Sequence, residues 1–249
     1  MTRTFGSYAK VYDAFYVDKD YQRECYNLIE LAKKFTSHLE CGLEIGAGSG
    51  SLTKELTKYL SHLDAFELSR EMADVCKVNM LYHKNVIVHQ GNLQETLNSN
   101  IEKDSIDILI ANFHVFTYFS DSDVTLFIEI CSKFLRKGGI VTFDFWDLDA
   151  VVNTPPKSAT KVAKFDGREI TRKTSPVMKN AFRKVEVNFD FYEGSDLLFS
   201  ECHDMYPRSL NEVKKVFENG FEFCGSFDIY SGESYTQKSY GNLVYFRKN

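Results

Sequence analysis

The sequence predicts an α/β fold: a mostly parallel seven-stranded sheet with helices on both faces, preceded by a helical cap and interrupted by an antiparallel β insert. Three observations carry this. A short apolar run, Cys41–Ile45, ends in glycines 46, 48 and 50 and passes at once into helical spacing at Leu52, Leu56, Tyr59 and Leu60. Four more apolar runs up to Phe145 alternate with helical patterns and short links, which is the signature of βα repeats and a parallel sheet. Past Asn153-Thr154-Pro155-Pro156 the period changes to two, with Val185, Val187, Phe189 and Phe191 alternating with polar residues.

Taken in order, Tyr21 to Phe35 reads as a helix with Cys25, Leu28, Ile29, Ala32 and Phe35 on one face. Tyr8, Tyr12, Phe15 and Tyr16 make the segment before it unusually aromatic, either to pack a cap onto the core or to close over a bound ligand. Cys41–Ile45 is the first strand. The glycines after it let the backbone turn tightly and approach a ligand, and the helix that follows offers free N–H groups to it. His62 to Phe66 is the second strand and ends in Glu67, 21 residues after Gly46, a distance that suits a ribose with two free hydroxyls. A helix from Ser69 to Met80 follows, with Ser69 as N-cap. Val86–His89 is the third strand, ending at Gln90-Gly91-Asn92-Leu93.

The fourth strand, Ile106–Ala111, runs into Asn112-Phe113-His114, and a helix is expected from Ser122 to Leu135, stopped by Lys137-Gly138-Gly139. Ile140–Phe145 is the fifth strand and brings Asp144, Trp146 and Asp147 to the same sheet edge as His114. Glu193-Gly194-Ser195-Asp196 is read as a hairpin turn into Leu197–Met205. A helix from Ser209 to Glu218 and strands near Phe221–Ile229 and Leu243–Phe246 return the chain to the sheet. The expected organisation is one domain: cap 1–38, core 39–150 and 208–249, and insert 151–207 covering the active site.

The chain has 249 residues, is 43% hydrophobic and carries a net charge of −5, so it can bury a substantial core and lacks the basic balance of a nucleic-acid binder. Its six cysteines are scattered without a C-x-x-C pair, which fits reduced core thiols in a cytoplasmic protein. No stretch reads as a membrane span or signal peptide, and no histidine pair has metal-site spacing.

The pattern E-x-G-x-G-x-G from Glu44 to Gly50, followed by the second acid Glu67, resembles motif I of the class I S-adenosylmethionine-dependent methyltransferases, whose core is Rossmann-like. A related turn binding NAD, or no ligand, is the alternative. Phe113-His114-Val115, Tyr118 and the insert ending in Cys202-His203-Asp204-Met205 make the chain similar to the small-molecule branch. That branch holds NDP-amino-sugar N-methyltransferases, glycine N-methyltransferase-like enzymes and surface-polysaccharide sugar methyltransferases. The resemblance implies S-adenosyl-L-methionine as cofactor. It places Glu44, Gly46, Ala47, Gly48 and Gly50 around the methionine and ribose, Glu67 on the ribose hydroxyls, and Leu68 and Met72 beside the adenine. Asn92 and Leu93 would take the adenine edge, Asn92 standing where many relatives have an acid, or serving as an ordinary turn residue.

Asn112 would bind the methionine amino end through its backbone carbonyl, and Tyr12, Phe113 and His114 would face the sulfonium and acceptor. Tyr16, Tyr118, Asp144, Trp146 and His203 are the expected acceptor contacts, with Asp144 and Asp147 serving otherwise as strand-end caps. His114 and His203 are the candidate general bases, each otherwise a structural histidine, and Tyr12 the catalytic aromatic wall. The expected partner is a small-molecule acceptor, a sugar or nucleotide sugar, with homodimerisation left open and neither nucleic acid nor membrane involved. The other functional class is a non-catalytic sensor or scaffold that binds S-adenosylmethionine or S-adenosylhomocysteine.

Overall fold

The computed structural model describes residues 5–228, 233–236 and 241–249. Helix α1 spans Tyr21–Ala32, and strand β1, Cys41–Ile45, leads through the glycine turn into α2, Ser51–Leu56. There follow β2 (His62–Glu67), α3 (Arg70–Asn79), β3 (Val86–Gln90), α4 (Leu93–Leu97), β4 (Ile106–Ala111), α5 (Asp121–Phe134) and β5 (Leu135–Trp146). A short helix α6 (Leu148–Asn153) precedes the insert strands β6 (Ala159–Phe165), β7 (Arg168–Lys179), β8 (Lys184–Glu193) and β9 (Asp196–Met205). Helix α7 (Leu210–Phe217) and strands β10 (Phe221–Asp228) and β11 (Gly241–Lys248) complete the chain. Ile229, the expected end of the strand now numbered β10, lies outside the described residues.

The main sheet has seven strands in the order β10-β11-β5-β4-β1-β2-β3, with β11 antiparallel to both neighbours and the strands from β5 to β3 parallel. Its strands are apolar on both faces because helices cover both. On one face Leu109, Phe143 and Phe246 pack with Phe127 and Phe134 of α5 and Phe217 of α7. On the other, Ile108, Ile110 and Tyr245 pack with Cys25, Leu28 and Ile29 of α1 and Leu56 of α2. The expected cap therefore divides. Helix α1 belongs to a sheet face, while Tyr8, Tyr12 and Phe15 pack against Ile170 and Phe191 of the insert.

The insert is a four-stranded antiparallel sheet, β6-β7-β8-β9. Of its strands only β8 alternates strictly, and a turn signal announces β9, so β6 and β7 were not anticipated. The expected glycine stop at Lys137-Gly138-Gly139 is corrected: α5 ends at Phe134, and Leu135 already turns extended. Gly138 (φ 77°) and Gly139 sit in a bulge of β5, where pairing with β4 jumps from Ile106–Leu135 to Ile108–Ile140. A Cβ on Gly139 would stand 2.9 Å from the carbonyl oxygen of Arg136, so the bulge needs a residue without one. No helix among the described residues is long and apolar enough to cross a membrane.

Candidate active site

The sheet reverses its winding between β1 and β4, and the crevice at that point opens on their C-terminal ends. Gly46 and Ala47 donate backbone N–H bonds to the Phe66 carbonyl, at 2.8 and 3.0 Å, which folds the turn across the end of β2. Gly48 has φ 59°, and a Cβ there would meet nothing within 4 Å, so this backbone faces open space. Its N–H donates to Glu67 at 2.8 Å, and the Ser69 N–H donates to the other carboxylate oxygen at 2.7 Å. Burial raises Glu67 above the usual carboxyl range, and these donors offset part of that rise. Glu44, enclosed in β1, is pushed up to about 7 by burial, and its Oε2 has no hydrogen-bond partner.

Asn112, just past β4, has a buried Oδ1 that is likewise without a partner. An orphan carbonyl oxygen, a backbone left open at Gly48 and an acid at the end of β2 together fit a ligand that carries an ammonium and a ribose. Around this end the expected contacts are placed unevenly. Leu68 is 62% exposed at the rim, Met72 is buried with Tyr12 and Phe15, and Leu93 turns into the core. Asn92 caps α4: its Oδ1 accepts from the Glu95 N–H at 2.9 Å and Glu95 reciprocates. One lone pair of Oδ1 remains for another donor.

Beyond Asn112 lies a cavity of about 270 Å³. It brings together Tyr12, Tyr16, Phe113, His114, Tyr118, Trp146 and His203, seven residues proposed from sequence as site residues. Phe113 and His114 are held at φ 64° and 66°, a left-handed pair that costs backbone energy and is stabilised from below. Asp144, fully buried, accepts the His114 backbone N–H at 2.9 and 3.0 Å. His114 Nδ1 stands 2.7 Å from Asp144 Oδ2, close enough for an ion pair but at an angle too poor for a hydrogen bond. Nε2 of His114 has no protein partner among the described residues. Asp147, by contrast, caps α6 and accepts from Asn242, so it is structural.

His203 is fully buried, and both ring nitrogens are engaged. Nε2 lies 3.0 Å from Glu201 and Nδ1 3.1 Å from the Tyr118 hydroxyl. A neutral ring would donate Nε2–H to Glu201 and accept the Tyr118 O–H at Nδ1. His203, expected as a candidate base or a structural histidine, lines the cavity beside Tyr118 with both nitrogens already engaged. Glu201 also accepts the backbone N–H groups of Phe5 and Tyr8, at 2.8 and 2.9 Å. It is thus the knot between insert, histidine and N-terminal segment. Burial works against its charge, yet His203 and these two N–H groups hold it below the usual carboxyl range.

Sequence reading missed Glu201, Phe5 and Arg172. Glu201 had a signal, since it stands two residues before His203 on the same strand face. Arg172 and Phe5 had none, because their neighbours come from distant segments. Among the described residues no His/Cys/Asp/Glu group is arranged to hold a metal ion.

Residues 43–139 match a family model described as a methyltransferase domain. A malonyl-[acyl-carrier protein] O-methyltransferase of Halalkalibacterium halodurans is 28% identical over 109 residues, 43% of this chain and 39% of that one. A dTDP-3-amino-3,4,6-trideoxy-alpha-D-glucopyranose N,N-dimethyltransferase of Streptomyces venezuelae is 23% identical over 185 residues, 73% of this chain and 75% of that one. The match to the first of these relatives thus spans well under half its length, and the match to the second three quarters. A crystal structure of an S-adenosylmethionine-dependent methyltransferase from Clostridium acetobutylicum superposes with a TM-score of 0.79 at 16% identity, covering 99% of this chain and 100% of that one. With the glycine turn, Glu67 and the sheet order already in place, the chain carries a methyltransferase domain over residues 43–139, on the fold of the class I S-adenosylmethionine-dependent methyltransferases.

Proposed function

We propose that this protein is a methyltransferase that moves the methyl group of S-adenosylmethionine to an amine or hydroxyl of a sugar or nucleotide sugar. The observation that carries the reading is the aromatic cavity directly beyond Asn112, with the His114–Asp144 pair at its floor. The similarity to a sugar N,N-dimethyltransferase over 73% of the chain supports the acceptor class.

In this reading Gly46, Ala47, Gly48 and Gly50 hold the methionine and ribose portion, Glu67 the ribose, and the Asn112 region the ammonium. Leu68 and Asn92 border the adenine. S-adenosylmethionine supplies, when bound, a methyl on a sulfonium sulfur. The chain's own work is to align an acceptor and manage its proton. Tyr12, Tyr16 and Phe113 form an aromatic wall suited to a cationic centre. Alignment in a closed cavity is worth roughly 7–11 kcal/mol. Asp144 orients His114 from the Nδ1 side and leaves Nε2 to receive the acceptor's proton. Tyr118, fixed by His203, offers its oxygen to an acceptor N–H or O–H. Trp146 flanks His114, with ring centroids 6.0 Å apart.

The test is a methyl-transfer assay with dTDP-amino sugars and their hydroxyl counterparts, beside calorimetric titration with S-adenosylhomocysteine. Wild-type protein should bind the homocysteine product and methylate an acceptor. His114→Ala should lose about 10²–10⁴-fold in kcat on a hydroxyl acceptor, with recovery at higher pH. Binding of S-adenosylhomocysteine with no product from any acceptor would favour the sensor or scaffold class. Tight binding of NADH with none of S-adenosylhomocysteine would remove the cofactor assignment itself.

A further inference from the structure

Arg172 stands on β7 with Thr174 and Pro176, the three residues of one strand face that line the cavity. Its surroundings are aromatic: the guanidinium carbon lies 5.0 Å from the centre of the Phe15 ring, 5.6 Å from Phe189 and 5.7 Å from Tyr16. Nη1 donates to the Tyr8 hydroxyl and, at 3.3 Å, to that of Tyr16. Nε is buried without a partner, and Nη2 has none among the described residues. These two nitrogens form one side of the guanidinium fork, the geometry that matches two oxygens of a carboxylate or phosphate.

No carboxylate lies within ion-pair distance of Arg172 among the described residues. The other two arginines of the insert are treated differently: Arg168 meets Glu193 at 3.4 Å and Arg183 meets Glu212 at 2.5 Å, both at the surface. Of the three insert arginines, the one most removed from water is therefore the one without a counter-charge. A desolvated cation is costly unless an anion compensates it, and ring faces with two hydroxyls compensate only in part. No acid is among the residues that line the cavity, and the two acids behind its histidines are committed, Asp144 to His114 and Glu201 to His203 and two backbone N–H groups. Lys157, exposed at the cavity rim, adds a second cation with no acidic partner among the described residues.

We infer that Arg172, with Lys157 at the rim, forms an anion subsite of the cavity that takes a phosphate or carboxylate group carried by the methyl acceptor. The inference rests on the reading of this cavity as the acceptor site, and it makes the acceptor an anionic molecule. The anchoring energy at this remote group would then serve to hold the reacting amine or hydroxyl in place.

Calorimetry on the full chain tests this, with inorganic pyrophosphate, glucuronate and neutral glucose as probes, with and without saturating S-adenosylhomocysteine. Pyrophosphate binding identifies a phosphate acceptor and glucuronate binding a carboxylate one; glucose should not bind. Arg172→Met should weaken the bound anion by at least about 10-fold, and Arg172→Lys should keep part of it. Unchanged S-adenosylhomocysteine affinity in each variant shows that the fold survives. Lys157→Ala should lose about 2–5-fold, as expected of a rim charge. Absence of binding by both anions to wild-type protein at millimolar concentration overturns the subsite, as does equal binding by Arg172→Met. Failure of wild-type protein to bind S-adenosylhomocysteine would instead strike the methyltransferase reading, while the probes alone still decide whether the anion subsite exists.

Discussion

Glu44 is a carboxyl group enclosed in a strand, with one oxygen unpaired and its titration pushed up to about 7 by burial. In the unfolded chain it would ionise near the ordinary glutamate value, so folding binds a proton between these two pH values. The folded form is favoured at low pH and loses that advantage as pH rises through about 7. Glu44→Gln should therefore raise the unfolding free energy at pH 8 by up to about 3 kcal/mol and leave it unchanged at pH 4, as read by urea titration. Gly46 offers a second test at the same scale. A Cβ there would lie 2.4 Å from Val115 Cγ2 and would also have to adopt φ 77°. Gly46→Ala should cost about 2–4 kcal/mol, and adding Val115→Ala should recover the packing part but not the backbone part. Gly48→Ala has open space and should cost only about 1 kcal/mol in the same urea titration.

Elements that announce themselves locally were legible in the sequence. The glycine turn, the five parallel strands and the cap of α3 follow from spacing and from Ser69, whose side chain accepts from the Met72 N–H group. Lys137-Gly138-Gly139 misled because a glycine pair that ends a helix and one that allows a bulge look alike without the neighbouring strand. Strands β6 and β7 were hidden because their exposed outer face mixes lysine, threonine and valine without regular alternation. The N-terminal segment is a case where element and site meet. Glu201 anchors it through the Phe5 and Tyr8 N–H groups, and Asp13 of the segment accepts from the Ser49 hydroxyl. Because Glu201 sits below the usual carboxyl range, its contribution is complete above that range and is lost as pH falls through the depressed value. Glu201→Gln should speed amide hydrogen exchange over residues 5–16 at neutral pH, while strands β1 and β4 stay as protected as in the wild type.

At the scale of the whole molecule, the cofactor end and the acceptor cavity differ in how they are assembled. The first, as proposed, draws on residues between Glu44 and Asn112, within the parallel core, where spacing carries the pattern. The second draws on the N-terminal segment, the β4 loop, β5 and the insert, so Arg172 and Glu201 became meaningful only once these were folded together. A ligand that fills the cofactor end should stabilise the entire chain by mass action. S-adenosylhomocysteine at 100 times its Kd should add about 2.7 kcal/mol and raise Tm by about 5–10 °C, as scanning fluorimetry would record, while NADH should not. The tie from Phe5 to Glu201 reaches across 196 positions of sequence. On a ribosome, the opening residues must wait until just over four-fifths of the polypeptide has emerged before they find their anchor. The glycine turn and the strands around it are thus synthesised long before the contact that ties the opening segment to the insert can form.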